Sequence, residues 1–212
     1  MMNILNLLVI IPVLTMAGIV FSKDMKQVRW ASAIGMFFQL IVSITIMFTY
    51  MAIRKSGVTD EMVMVSDFSW FQTINIHYTI GIDGISAAMI LLTSVVIFAG
   101  VFASWEVEYL QKEFFISLIL LATGVFGFFI SIDLFTMFLY YEIAVIPMYL
   151  LIGIWGTGPK EYSAMKLTLM LMGGSALLIV ALFGIYFVTG PLDGPHTFNL
   201  LELSKMHMDI EW

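Results

Sequence analysis

Six long apolar runs with almost no charge inside them limit what this chain can fold into. A helix needs about 20 mostly apolar residues to cross the roughly 30 Å hydrocarbon core of a bilayer. Runs near Ile4–Phe21, Trp30–Ile53, Ile85–Trp105, Phe114–Ser131, Leu134–Trp155 and Tyr162–Thr189 meet or approach that length. None alternates with period two, as a strand between lipid and lumen would. The expected fold is therefore all-α, a polytopic membrane protein with six transmembrane helices. Only Ser131, Ile132 and Asp133 separate the fourth run from the fifth, which predicts a tight antiparallel hairpin. The first run lacks a positively charged start and a small-residue cleavage site, so it reads as a retained span rather than a signal peptide.

Composition narrows the chemistry. Of 212 residues, 61% are hydrophobic and 11% charged, and there is no cysteine. That charged fraction is less than half the level of a soluble domain. The missing thiols exclude disulfide scaffolds, thiolate metal sites and cysteine-ligated iron–sulfur clusters. His77, His196 and His207 all lie outside the long apolar runs, which argues against a haem held between spanning histidines. A net charge of −6 offers no basic face for nucleic acid.

The flanking charges give an orientation. Lys23, Lys26, Arg29, Lys112 and Lys160 lie after the first, third and fifth runs, against Arg54, Lys55 and Lys205 on the other face. Cytoplasmic loops carry the excess of Lys and Arg, so the first group is expected inside and the N-terminus outside. Two stretches between spans have character of their own. Residues 54–84 combine Asp60, Glu61 and Asp67 with Phe68, Trp70, Phe71 and Tyr78, a mixture suited to an ordered interfacial cover. From Pro191 to Trp212 the chain reads as an amphipathic surface tail. Three parts are expected: 1–113 with the first three helices and the 54–84 segment, 114–189 with helices four to six, and the tail 190–212.

Among nine basic and fifteen acidic residues, only Glu142 and Lys166 lie clearly inside apolar runs. Glu142 follows Asp133 by nine residues, about 13 Å along a helix, close to the bilayer midplane. A carboxyl there costs roughly 2.5–3.5 kcal/mol on insertion scales and marks a functional site by default. The functional reading is a proton carrier; the alternative is a structural hydrogen bond between helices. Pro147 has no N–H for the carbonyl of Ile143, so a kink is expected beside Glu142. Lys166, one turn into the sixth helix, either snorkels to headgroups or relays protons from the cytoplasmic face. Its axial offset from Glu142, on the order of 14 Å, is too long for a direct ion pair. Asp83 and Asp133 each precede a helix and read as N-caps, and Gly173-Gly174-Ser175 reads as a place of close helix approach.

The run Tyr140-Tyr141-Glu142-Ile143-Ala144-Val145-Ile146-Pro147-Met148-Tyr149 and its continuation to Gly156 resembles the fifth helix of the antiporter-like membrane subunits of respiratory complex I. The Glu142-to-Pro147 spacing fits the branch of chain M, the bacterial counterpart of mitochondrial NADH dehydrogenase subunit 4. Gly81-Ile82-Asp83-Gly84, Ser104-Trp105 and Thr197-Phe198-Asn199-Leu200 fit the same pattern.

The resemblance implies the N-terminal part of a fourteen-helix fold with two inverted five-helix repeats, the first incomplete in 114–189. It implies a bacterial inner-membrane subunit that pumps protons while NADH is oxidised elsewhere. This chain would hold no cofactor; NADH, FMN, iron–sulfur clusters and quinone would belong to other subunits. Its partners would be other membrane-arm subunits, neighbouring antiporter-like chains above all, and the lipid bilayer. Glu142 matches the family's key carboxylate and Lys166 a basic position at the start of helix six. Family members are over twice as long, and the chain ends before the helix that carries their central lysine, so pumping is not expected of it alone. A subunit of a multi-subunit cation/proton antiporter or membrane-bound hydrogenase, or a non-transporting fragment of one, is the alternative.

Overall fold

The computed structural model describes residues 3–71, 76–189 and 196–205. A single 3₁₀ turn, Ile4–Asn6, leads into α1 (Leu7–Phe21), followed by α2 (Met25–Lys55). A β-hairpin then intervenes, β1 (Val63–Phe71) and β2 (Ile76–Ile82). The remaining elements are α3 (Gly84–Ala103), α4 (Gln111–Ile130), α5 (Leu134–Trp155), α6 (Lys160–Thr189) and the short α7 (Leu200–Leu203). Among the described residues, six helices are long and apolar enough to cross a membrane, and they overlap the six apolar runs.

Caps and polar side chains explain where these helices stop and how they stay dry. Asp83 Oδ1 accepts a hydrogen bond from Ser86 N at 2.7 Å, closing the N-terminus of α3. At the far end of α2, the Arg54 guanidinium donates to the carbonyls of Val58, Asp60 and Glu61, a cation placed at the negative end of the helix dipole. Inside the bundle, Ser32, Ser43, Ser94 and Thr123 return their hydroxyls to carbonyls one turn back. Gln39 Nε2 donates to Leu8 O at 3.1 Å, and the hydroxyls of Ser43 and Ser94 meet across α2 and α3. In hydrocarbon such groups must find protein partners.

The main core lies between α1, α2, α3 and α4, around Leu8, Met36, Ile46, Ile90, Ile119 and Phe126. α5 docks on α4 as the antiparallel hairpin expected of so tight a turn. A Cβ at Gly124 would sit 2.8 Å from Tyr140 O and 2.9 Å from Ala144, and one at Gly127 would strike the Tyr140 ring. Close helix approach therefore falls on these two glycines. At Gly173 and Gly174, where the sequence pattern suggested it, a Cβ would meet nothing within 4 Å. Packing of α5 against α4, set by long-range contact, is invisible to a local pattern of small residues.

The 54–84 cover is a β-hairpin, a detail the aromatic and acidic composition did not specify. Its strands run antiparallel with Ser66 opposite Ile80 and Phe68 opposite Tyr78. The turn between α4 and α5 extends this pairing. Ser131 bridges Ile80 and Asp133 bridges Asn199. Ile132 N donates to Thr79 O at 2.9 Å, Leu134 N to Phe198 O at 2.9 Å and Leu200 N to Ile132 O at 3.2 Å. Phe198, buried, stacks on Tyr186 of α6 with ring centroids 4.4 Å apart. The tail expected over Pro191–Trp212 is described only over 196–205, where Phe198 and Leu203 are buried. The rest of that tail, His207 included, lies outside the described residues.

The glycine contacts make a direct prediction. Gly124→Leu forces α4 off α5 and lowers stability by about 1–3 kcal/mol, the usual cost of overpacking. Gly173→Ala changes it by less than about 0.5 kcal/mol. Thermal unfolding of the purified membrane protein checks both, and an unchanged midpoint in Gly124→Leu contradicts the packing.

Candidate functional site

α5 positions the carboxyl groups that matter. Asp133 caps it, with Oδ1 accepting from Phe135 N and Thr136 N, each at 3.0 Å. Glu142 lies just before the middle of the apolar run, half-buried. Five buried side-chain polar atoms have no hydrogen-bond partner among the described residues, and two are carboxylate oxygens: Asp133 Oδ2 and Glu142 Oε1. A buried polar group without a partner costs free energy comparable to a lost hydrogen bond, more if it is charged. Both therefore require water, a proton or a cationic neighbour.

Lys166 does not supply that neighbour. Gly153 of α5 lies level with Ala164 of α6, since a Cβ on Gly153 would be 3.5 Å from that of Ala164. In an antiparallel pair this register puts Lys166 beside residues near 151, about 14 Å along the axis from Glu142. Lys166 is exposed, with Nζ 6.0 Å from the Tyr162 ring centroid, a cation over an aromatic face. The same register brings the Gly174–Ser175 step level with Glu142. Pro147 is buried inside α5, where it leaves the Ile143 carbonyl without a helical donor. A cavity of about 310 Å³ between α4, α5 and α6 is lined by Gly124, Phe128, Tyr141, Val145 and Leu171. Its lining is almost wholly apolar, so it brings no hydrated path to Glu142.

At the hairpin end of α5 the surroundings are polar. A cavity of about 300 Å³ is lined by Asp67, His77, Thr79, Asp133, Asn199 and Glu202, with Val65 and Thr197 completing it. His77 Nδ1 lies 3.0 Å from Asp67 Oδ2, and Thr79 Oγ1 donates to Asp67 Oδ1 at 2.6 Å. Burial alone pushes the Asp67 carboxyl up, but the Thr79 and His77 hydrogen bonds and the His77 charge outweigh it and hold it below the usual carboxylate range. Asp133 goes the other way. Burial raises its carboxyl above the ordinary value despite the hydrogen bonds from Thr136 and Phe135. One turn along α5, Thr136 Oγ1 donates to His77 O at 3.3 Å, and the hydroxyls of Tyr140 and Tyr78 stand 3.5 Å apart.

Sequence reasoning singled out Asp133 as a cap but not the residues facing it. Asp67, His77 and Thr79 converge only because β1 and β2 pair. The alternating Ile76, Tyr78 and Ile80 against His77 and Thr79 is the one local signal of that strand. Asn199 and Glu202 arrive from over sixty residues away through the backbone bridges of the 131–133 turn. Among the described residues, no group of three or more His, Cys, Asp or Glu is arranged to hold a metal ion.

The described residues form a bundle of six helices of membrane-spanning length, with a carboxyl inside the fifth and a strand-paired polar face at its N-terminal end. Residues 131–212 match the family described as NADH:quinone oxidoreductase/Mrp antiporter, transmembrane. The chain is 33% identical over 184 residues to the chloroplastic NAD(P)H-quinone oxidoreductase chain 4 of Mesostigma viride, covering 85% of this chain and 35% of that one. It is 29% identical over 216 residues to NADH-quinone oxidoreductase subunit M of Rhodobacter capsulatus, covering 99% and 40%. In fold it resembles a chain of respiratory complex I from Thermus thermophilus, with TM-score 0.80, 20% identity and coverage of 99% and 40%. A chain of the archaeal membrane-bound sulfane sulfur reductase gives TM-score 0.78, 21% identity and coverage of 99% and 41%. The chain resembles the N-terminal part of chain M, the counterpart of subunit 4, within the antiporter-like family of complex I. It spans 35–41% of the length of these relatives.

Asp67 makes the hairpin face sensitive to acid. Its carboxyl is held below the unfolded value, so its contribution is present above about pH 4 and is lost as pH falls through the lower folded value. The side chain is 52% exposed, so screening limits the contribution to about 1 kcal/mol or less. Relative to intrinsic exchange rates, protection of the β2 amides is expected to fall below about pH 4 in the wild type and to lose that fall in Asp67→Asn. A dependence kept in the variant contradicts the assignment.

Proposed function

We propose that the chain is part of a proton-translocating membrane-arm subunit of a complex I-type NADH:quinone oxidoreductase, with Glu142 as its proton carrier. One observation supports this reading: Glu142 is an ionisable group inside a helix long and apolar enough to cross a membrane, with a buried oxygen that no described residue satisfies. A carboxyl in such a place binds a proton when its surroundings are apolar and releases it when a cation or water approaches. The register between α5 and α6 leaves Lys166 too far for that task by direct contact. Its part in this reading is relay from the cytoplasmic face, through water, over about 14 Å. Redox chemistry belongs to other subunits of the complex, and neighbouring membrane-arm chains are the partners.

We also propose the orientation that the Lys and Arg distribution favours, with the N-terminus, the hairpin and the 131–133 turn on the outer face of a bacterial inner membrane. In this arrangement residues 1–113 form the supporting bundle, 114–189 the start of the transporting repeat and 190–212 the surface tail. A multi-subunit cation/proton antiporter remains the second reading, because the family matched over 131–212 includes the Mrp type.

The test uses the full-length subunit in its assembled complex. Glu142→Gln keeps shape and hydrogen bonding but cannot ionise, and it lowers proton translocation about tenfold or more while the complex still assembles, the scale of a lost acid–base group. Proton uptake by inverted membrane vesicles driven with NADH reads the outcome. Full pumping in that variant overturns the carrier role. Lys166→Met slows uptake without abolishing it if Lys166 is a relay, and an unchanged rate leaves it a headgroup anchor.

A further inference from the structure

The cavity at the outer end of α5 has a property that capping does not explain. A cap needs one carboxylate oxygen, and Asp133 Oδ1 already serves two backbone N–H groups. Oδ2 is free for something else. It is buried without a hydrogen-bond partner among the described residues, on a side chain whose residue is 1% exposed, and it lines a cavity of about 300 Å³. Burying a second oxygen there would be wasteful for a cap alone, since Ser or Asn caps a helix equally well. The cavity holds room for several waters, each of which needs only about 10–15 Å³ and two to four polar partners. Those partners are present in the side chains of Thr79, Thr197, Asn199 and His77.

We propose that this cavity is a proton-exchange site, in which Asp133 Oδ2 takes a proton from, and returns it to, water enclosed between the β-hairpin, the 131–133 turn and α7. The proposed ligand is a hydrated proton; among the described residues the carboxylates and the histidine form no metal-binding group. Charged groups face Asp133 from each element around the cavity: Asp67 from β1, His77 from β2 and Glu202 from α7. Burial pushes Asp133 toward the protonated acid, and the carboxylates of Asp67 and Glu202 line the same cavity. Protonation breaks an O–H bond of a hydronium in the enclosed water as the Oδ2–H bond forms, and release breaks Oδ2–H and returns the proton to that water. No bond other than O–H is made or broken. Asp133, Thr136 and Tyr140 follow at i, i+3 and i+7 on one face of α5, so hydroxyls continue inward from the site. Its place in a transport cycle rests on the reading of Glu142 given above, whereas its titration does not.

The experiment is a pH-induced infrared difference spectrum of the full-length subunit in its assembled complex. The wild type is expected to show a carboxylic-acid C=O band that titrates above the ordinary carboxylate range. Asp133→Asn and Asp133→Ser keep a capping oxygen but lose that band, and Glu142→Gln keeps it. A second measurement covers the case in which neither cap variant assembles. Removing the facing carboxylates with Asp67→Asn and Glu202→Gln moves the midpoint of the band downward. A spectrum identical in wild type and Asp133→Asn, or a midpoint unmoved by the double substitution, overturns the proposal. So does a midpoint that follows sodium concentration at constant ionic strength, which makes the site a cation site. Because the spectrum reads Asp133 and vesicle pumping reads Glu142, failure of one is distinguishable from failure of the other.

Discussion

Three residues between two spanning helices, Ser131, Ile132 and Asp133, hold the hairpin end of this protein together. Their backbone groups bond to β2 on one side and to residues 198–200 on the other, so neither the hairpin nor the segment after α6 is left with an open edge there. The same three residues turn α4 into α5 within the reach of a tight hairpin, which is possible because Gly124 and Gly127 let the two helices touch. Asp133 adds the side-chain cap that starts α5. A polar backbone turn at the edge of a bilayer is costly unless every group is paired. Here the pairing is what assembles distant parts of the chain into one polar cavity.

From that turn α5 carries a gradient of environments. Its outer end is surrounded by carboxylates, hydroxyls, an amide and an imidazole. Its middle, at Glu142, is flanked by an apolar cavity and by the Gly174–Ser175 step of α6, inferred from the Gly153–Ala164 register. A carboxyl in the first setting has polar and charged neighbours, and one in the second lies beside an apolar cavity. Two acidic groups on one helix are thus set apart by their surroundings rather than by their chemistry, the general means by which proteins give like residues unlike tasks.

The spans were legible in the sequence because hydrocarbon thickness imposes a length on every crossing helix, so the run Leu134–Trp155 gave α5 to the residue. Glu142 was legible for the same reason, since a charge stands out where charges are scarce. Asp83 and Asp133 could be read as caps because an N-cap is a local matter of the next three residues. The cavity was not legible. Asp67, His77, Asn199 and Glu202 come from three separate stretches, and only β pairing and the 131–133 bridges bring them together. At Gly173 and Gly174 no described residue uses the close approach that a small-residue pattern allows, because the partner that uses it is set by the whole bundle.

The central claim is that Glu142 changes its protonation while the complex works. The most direct measurement is a turnover-triggered infrared difference spectrum of the full complex, started by NADH and repeated in heavy water. The account predicts a carboxyl band that appears or disappears with turnover, shifts in heavy water and is absent in Glu142→Gln. A spectrum in which that substitution changes no carboxyl band would contradict it.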